Sequence, residues 1–417
     1  MYLIYKLIYI IECEYMRLDY PSRHTERIGA VSIHELQKIY ELDSGEMPRT
    51  SAHNHEQSTR AYSYQELSSI FRELAIVIPL KNEKIGLLEG VLSGIPNECL
   101  IIIVSNSERA PVDRFSMEVE MIRQYSQFAD KKIMVIHQKD NELAKIFKKV
   151  KYTSILDSKS HIRNGKAEGM VIGILLAKMQ KKKYIGFIDS DNYFPGAVNE
   201  YVKIFAVGFK MATTPYSNVR VSWRSKPKIV NNKLQFPKWG RISEYSNKYL
   251  NALISNITGY ESEIISTGNA GEHALSMTLA ENLNYSSGYS VEPYEFINIL
   301  EKFGGLLPTD SSNIIEKGIE IFQIESRNPH FHEEKGADHL TGMMQASLLA
   351  INNSKICNIE LTKEIKNHLL MLQIKQNYKS PKINLQKRHH IMDPIKVISI
   401  EDFADLVIKN SKTFLKI

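Results

Sequence analysis

The stretch 184-YIGFIDSDNYFPG-196 sets Asp189 and Asp191 one residue apart at the end of an apolar run. The run has the make-up of a buried strand, and the carboxylates stand where such a strand would emerge into solvent. A metal clamp, a phosphatase nucleophile with its acid, and a simple turn all use this pattern. Along a strand, residues i and i+2 point to the same side, so the pair converges if extended geometry persists. Paired carboxylate oxygens suit Mg²⁺ or Mn²⁺, above all where a substrate diphosphate completes the shell. Alone the motif is unspecific, because aspartates after strands often form only side-chain-to-backbone turns.

Upstream of this stretch the chain alternates. The short apolar runs 74-LAIVIPL-80, 99-CLIIIVS-105, 132-KIMVIHQ-138 and 183-KYIGFID-189 read as strands covered on both faces, and 209-FKMATTPY-216 reads as a further one. Between them, 113-DRFSMEVEMIRQYSQF-128 and 169-GMVIGILLAKMQ-180 carry helical periodicity, and 196-GAVNEYVKIFAV-207 continues it. The order predicts an α/β fold, a doubly wound and mostly parallel sheet with ligands at the carboxyl ends of its strands. Beyond residue 217 the alternation fades. The stretch 217-SNVRVSWRSKPKIVNNKLQFPKWGR-241 reads as a loop or hairpin insertion, with helices expected near 272–283 and 292–303 and an extended run at 319–326. From about 336 the chain reads as a helical C-terminal region.

Composition narrows the function. With 43% hydrophobic and 24% charged residues the 417-residue chain has an ordinary globular make-up, long enough for two or three domains. A net charge of +6 is too small to argue for nucleic acid, and clusters such as 180-QKKK-183 and 386-QKRHH-390 read as solvated faces. Cys13, Cys99 and Cys357 form no Cys-x-x-Cys, so neither a zinc knuckle nor a disulfide framework is expected and a reducing cytoplasm is the default. The N-terminal 1-MYLIYKLIYIIECEYM-16 is broken by Lys6 and stops at Glu12, short of the about 20 residues of a membrane helix. It lacks a small-residue cleavage site. The expectation is no membrane association, with residues 1–15 an extension or a mis-assigned start and Met16 the true one.

Several further segments carry chemistry. The loop 161-HIRNGKAEGM-170 leads into a helix, where free N–H groups and the helix dipole favour phosphate, with Arg163 and Lys166 adding charge. It lacks the spacing of a Walker A loop. The first three strands end in 78-IPLKNE-83, 105-SNS-107 and 137-HQKDNE-142, polar on one edge of the sheet. The small-residue loop 266-STGNAGEHAL-275 reads as the opening of a helix and offers Asn269, Glu272 and His273 to hydroxyl groups. In 328-NPHFHEEKG-336, His330 and His332 stand two apart, and either could join Asp191 on a metal.

In this order, IPLKNE, IVSNS, RNGKAEGM, Asp-x-Asp, GNAGEHAL and NPHFHEEKG resemble the mannosyl-3-phosphoglycerate synthase family of GT-A-type, metal-dependent retaining glycosyltransferases. The likeness extends from 16-MRLDYPSRHTERIGAVSIHELQKIYELDSG-45 to about residue 350. It implies transfer of mannose from GDP-mannose to the 2-hydroxyl of 3-phosphoglycerate, with Mg²⁺ or Mn²⁺ as cofactor, in a homodimer. It further implies that Asp189 faces the donor's ribose or sugar and that Asp191 and His332 bind the metal, with His330 the alternative ligand. Pro79, Lys81, Glu83, Ser105, Lys139 and Lys166 would contact the nucleotide-sugar. Arg163, Asn269 and His273 would take the acceptor, and Asp189 and Glu272 would be catalytic. The segments would then be 16–217 for the nucleotide-sugar, 218–350 for acceptor and metal, and 351–417 as the helical C-terminal region. Rivals are a glucosyl-3-phosphoglycerate synthase on the same fold, a haloacid-dehalogenase-type sugar phosphatase, and a non-enzymatic nucleotide-binding module.

Overall fold

A run that is apolar at every position needs cover on both faces, and 74-LAIVIPL-80 receives it. In the computed structural model, Ala75 and Val77 enter one apolar layer while Leu74, Ile76 and Ile78 enter the other. The next run repeats the pattern, with Ile102 and Val104 on one side and Ile101 and Ile103 on the other. The structure describes residues 15–20, 22–44, 59–230, 232–238, 240–309, 312–331, 337–375 and 388–417.

Its strands are, in chain order, β1 (Tyr15–Asp19), β2 (Thr25–Ile28), β3 (Val31–Ser44), β4 (Thr59–Ser63), β5 (Leu74–Leu80), β6 (Leu100–Ser105), β7 (Ile133–His137), β8 (Tyr184–Phe187), β9 (Ser217–Ser222), β10 (Lys228–Val230), β11 (Lys233–Gln235), β12 (His273–Ser276), β13 (Tyr285–Ser286), β14 (Ile319–Glu325), β15 (Ile391–Met392) and β16 (Leu415–Lys416). One large sheet takes the order β16-β7-β6-β5-β8-β12-β9-β14-β3-β1-β4, with β2 beside β3. β10–β11 and β13–β15 pair separately.

The parallel block β7-β6-β5-β8 is the one the alternation predicts. Outside it the sheet is mixed rather than mostly parallel. β12 enters between β8 and β9 and runs antiparallel to both, and β14 returns parallel to β9 and β3. Antiparallel partners need no helical crossover, so this part leaves no β-α-β rhythm in the sequence.

Two apolar helices cover the sheet on opposite faces. Lys166–Met179 is buried from Ala167 to Ala177 and packs its Gly173 on β5, where an added Cβ would come 2.5 Å from Val77 Cγ1. Pro195–Met211 covers the other face, with Gly208 seated on Val219. It takes the first residues, to Met211, of the segment 209–216 expected as a strand, and the rest is a loop; the true strand is β9, starting at Ser217. A short apolar run fits either period, and packing on the sheet decides between them. The helix expected near 272–283 is instead β12 followed by a short turn of helix at Met277–Ala280, because pairing on both sides claims its backbone. The helix Val291–Phe303 and the helices Ala337–Asn352, Ile359–Lys375 and Ile400–Asn410 agree with expectation.

The expected segment boundary at 217/218 falls inside β9, and β16 comes back from the C-terminus to pair with β7. Residues 1–14 lie outside the described residues, and Tyr15 opens β1. Among the described residues no helix is long and apolar enough to cross a membrane.

Candidate active site

The strand β8 stops at Phe187, so the aspartates leave extended geometry, and Ser190–Asp191 form a turn. Convergence by strand alternation therefore does not apply; the turn itself sets the pair. Asn192 braces it, its Nδ2 donating to the Asp189 carbonyl at 2.9 Å and to Glu272 Oε1 at 3.1 Å. Next in the chain, the Tyr193 N–H donates to the Phe331 carbonyl at 3.0 Å, and the two rings lie 5.2 Å apart. This bond brings the distant 328–331 segment to the Asp-x-Asp turn. Glu200 secures that segment further, accepting from Asn328 N at 2.8 Å and Nδ2 at 2.7 Å.

Lys166 is the first residue of its helix. The preceding Gly165 is extended and supplies no side-chain cap to the first-turn N–H groups at the positive end of the dipole, while the first-turn Glu168 carboxylate folds back against Gly165. The Lys166 Nζ lies 2.6 Å from Asp189 Oδ1 and 2.8 Å from Glu292 Oε1, with its side chain 15% exposed. Burial opposes the ammonium, but Asp189 and Glu292 outweigh it and hold its pKa well above the ordinary lysine value. Gly271 lets the next loop close onto the pair: a Cβ there would meet Asp189 Oδ2 at 2.5 Å.

These groups line one cavity of about 370 Å³ at the carboxyl ends of the parallel strands. Of the residues expected from sequence, Pro79, Lys81, Glu83, Lys166, Asp189, Asp191 and Asn269 line it, together with His330. His332 lies outside the described residues.

Others stand behind the wall. Ser105 is fully buried and donates to Glu118 Oε2 at 2.7 Å, while Ser107 donates to Glu118 Oε1 and accepts from the Asn82 N–H. Its place is in a brace under the IPLKNE turn. Lys139 donates to the Ile162 carbonyl, and the Arg163 carbonyl accepts from Gln138 Nε2, so both hold the RNGK loop. Glu272 and His273, expected in catalysis and acceptor binding, have no exposed surface. The Glu272 carboxyl accepts from Trp223 Nε1 at 2.9 Å besides Asn192, and burial together with Asp189 pushes its pKa up to about 8. His273 faces Glu295 Oε1 at 3.0 Å and the Ala270 carbonyl at 3.0 Å. Pairing of β12 on both sides turns these side chains into the interior, which the helix reading could not anticipate.

Among the lining residues that sequence reasoning missed are Trp223, Lys226, Tyr289 and Glu292. Trp223 is one of only two tryptophans, which is a signal of a kind. It stacks on His330 at 4.3 Å, and Lys226 Nζ sits 3.8 Å from its ring centroid. Glu292 lies in an unremarkable amphipathic helix, and nothing local marks it.

Residues 21–407 match the family model described as mannosyl-3-phosphoglycerate synthase (osmo_MPGsynth). The mannosyl-3-phosphoglycerate synthase of Pyrococcus furiosus is 46% identical over 403 residues, covering 96% of this chain and 99% of that protein. That of Aeropyrum pernix is 33% identical over 399 residues, covering 96% and 99%. A solved glucosyl-3-phosphoglycerate synthase from Mycobacterium tuberculosis, in complex with Mn²⁺, UDP-glucose and glycerol 3-phosphate, is 15% identical with a TM-score of 0.48 over 84% of this chain and 98% of its own. That likeness is too distant to transfer a site. Near-full-length identity to the first two removes the phosphohydrolase and the non-enzymatic readings. The chain belongs to the mannosyl-3-phosphoglycerate synthase family of glycosyltransferases.

Proposed function

We propose that the protein transfers the mannosyl group of GDP-mannose to the 2-hydroxyl of 3-phosphoglycerate with retention of configuration, giving mannosyl-3-phosphoglycerate for mannosylglycerate synthesis. The observation that carries this reading is Lys166, held between Asp189 and Glu292 at a helix N-terminus in the cavity that Asp191 shares. Family membership supports this choice of substrates, and the cavity around Lys166 supports this position for the reaction.

In the proposed step the bond from the sugar C1 to the diphosphate oxygen breaks and the bond from C1 to the acceptor 2-oxygen forms on the same face. Charge develops on the leaving diphosphate, and the Lys166 ammonium with the uncapped first-turn N–H groups stabilises it. The acceptor proton passes to the departing phosphate oxygen. Glu272 is buried and bound to Trp223 and Asn192, so it supports the wall rather than attacking C1. Asp189, tied to Lys166, orients the donor.

The donor chemistry fits a hard divalent cation. Four carboxylates, Glu83, Asp189, Asp191 and Glu292, line the cavity, although no three His, Cys, Asp or Glu residues converge on one point among the described residues. We assign Mg²⁺ or Mn²⁺ to Asp191 and His332; His330, packed on Trp223, lines the same cavity as Asp191. The cation supplies Lewis-acid stabilisation of the diphosphate when bound. Assembly as a homodimer belongs to the same proposal and is read by sedimentation velocity.

The test is product formation from 3-phosphoglycerate with GDP-mannose, GDP-glucose or UDP-glucose, with each metal and with chelator. Expected is metal-dependent turnover fastest with GDP-mannose, and an α-linked product. Turnover of another donor at the higher rate would replace the donor assignment, and no turnover in any combination would overturn the reading.

A further inference from the structure

Among the described residues Arg220, on β9, heads the large side chains with no exposed surface. Its Nε donates to the Thr267 carbonyl at 3.1 Å, and one terminal nitrogen donates to the Glu292 carbonyl at 3.0 Å and to Gly268 O at the outer limit of 3.5 Å. The other terminal nitrogen donates to Glu295 Oε2 at 3.0 Å, and the guanidinium lies 4.5 Å from the Phe296 ring centroid. The second oxygen of Glu295 faces His273 Nε2, whose Nδ1 faces the Ala270 carbonyl.

These partners belong to two separate segments. One is the loop that carries Asn269 into the cavity, and the other is the start of the helix Val291–Phe303, which carries Glu292. Glu292 in turn fixes Lys166. Burying a guanidinium and a carboxylate carries a desolvation cost that their mutual attraction only partly offsets, so packing alone would be served as well by apolar residues. What apolar residues cannot do is hold two backbone carbonyl segments at one fixed separation. A planar guanidinium with five donors does so.

We infer that Arg220 is a positioning residue: it sets the Asn269 loop against the Glu292 helix, and through Glu292 places Lys166 at the reacting diphosphate. The reactants named here rest on the proposed function, whereas the pin itself rests on the contacts above. Displacing a charged group from the reacting atoms weakens the transition state far more than ground-state binding. The step affected is therefore kcat.

The decisive variant is Arg220→Met/Glu295→Gln, which removes both charges so that neither is stranded in the core; Arg220→Lys keeps the charge and most of the volume. Both are assayed well below their unfolding temperatures, with rates referred to the folded fraction. The double variant should lose at least tenfold in kcat while KM for both substrates stays within threefold, and Arg220→Lys should fall between it and the parent. Amide hydrogen exchange is read on the same samples, and should quicken in 266–272 and 290–293 and not in the strands of the sheet. A folded double variant with kcat within twofold of the parent overturns the inference, as does unchanged exchange in those two segments. If the parent itself turns over no nucleotide-sugar, the substrate reading fails, and the exchange result alone decides for or against the pin.

Discussion

Replacing Lys166 by methionine would separate what this residue does for the fold from what it does for the reaction. In the structure its ammonium bridges Asp189 at 2.6 Å and Glu292 at 2.8 Å, and the three side chains are 15%, 32% and 5% exposed. Removing one partner of a buried ion pair costs roughly 3–5 kcal/mol, because the other charge is left stranded. Asp189, about a third exposed, regains much of its hydration, so most of the cost falls on Glu292 and the expected loss is about 2–3 kcal/mol. The catalytic loss is separate: deleting one donor that stabilises transition-state charge lowers kcat by about 10²–10³. Lys166→Met/Glu292→Gln removes the stranded carboxylate and should regain most of the stability without regaining turnover. The pH dependence has a definite sign. A lysine raised in the fold contributes stability that is complete below its unfolded value of 10.5 and fades only as pH rises through the folded one. The stability difference between parent and Lys166→Met should therefore stay constant from neutral pH towards 10.5 and shrink above it. Denaturant unfolding across pH, with release of nucleoside diphosphate as the activity readout, measures both terms. The reasoning is refuted if Lys166→Met keeps kcat within threefold, or if the double variant recovers activity together with stability.

Three further outcomes are expected. Asp191→Asn should lower turnover by about 10² or more, with a thermal midpoint close to the parent, and should raise the metal concentration needed for half-maximal rate; a metal titration of activity checks it. Burial, with Lys396 nearby, lowers the Lys302 pKa to about 8 from 10.5, so the unfolded chain binds more protons between those values and stability should rise with pH across that window. Lys302→Met should flatten the rise and add about 1 kcal/mol near pH 7, read from urea unfolding at pH 7 and 9.5. Gly173→Ala would set a Cβ 2.5 Å from Val77 Cγ1, an overpacking cost of about 1–3 kcal/mol offset by up to about 1 kcal/mol of helix propensity. Denaturant unfolding should show net destabilisation, relieved when Val77→Ala is added.

By itself the sequence determined the parallel core β5 to β8, its covering helices, and the grouping of Pro79, Lys81, Glu83, Lys166, Asp189 and Asp191 on one edge, whereas Asn269 joined them through the family resemblance. Continuous apolar runs and helical periods are local signals, and strand ends in a parallel block share an edge whatever else the chain does. It misplaced what depends on partners far along the chain. The start of the segment 209–216 fits a strand or a helix until the preceding Gly208 seats its helix on Val219, and 273–276 becomes β12 only because β8 and β9 stand on either side. That pairing buries Glu272 and His273, and the fold instead brings Trp223 and Glu292 to the cavity. Lys166, Asp189 and Glu292 meet within hydrogen-bonding distance from three separate segments. Hydrophobic period records which face of an element is covered but not by what, so only tertiary packing could choose which charges close the site.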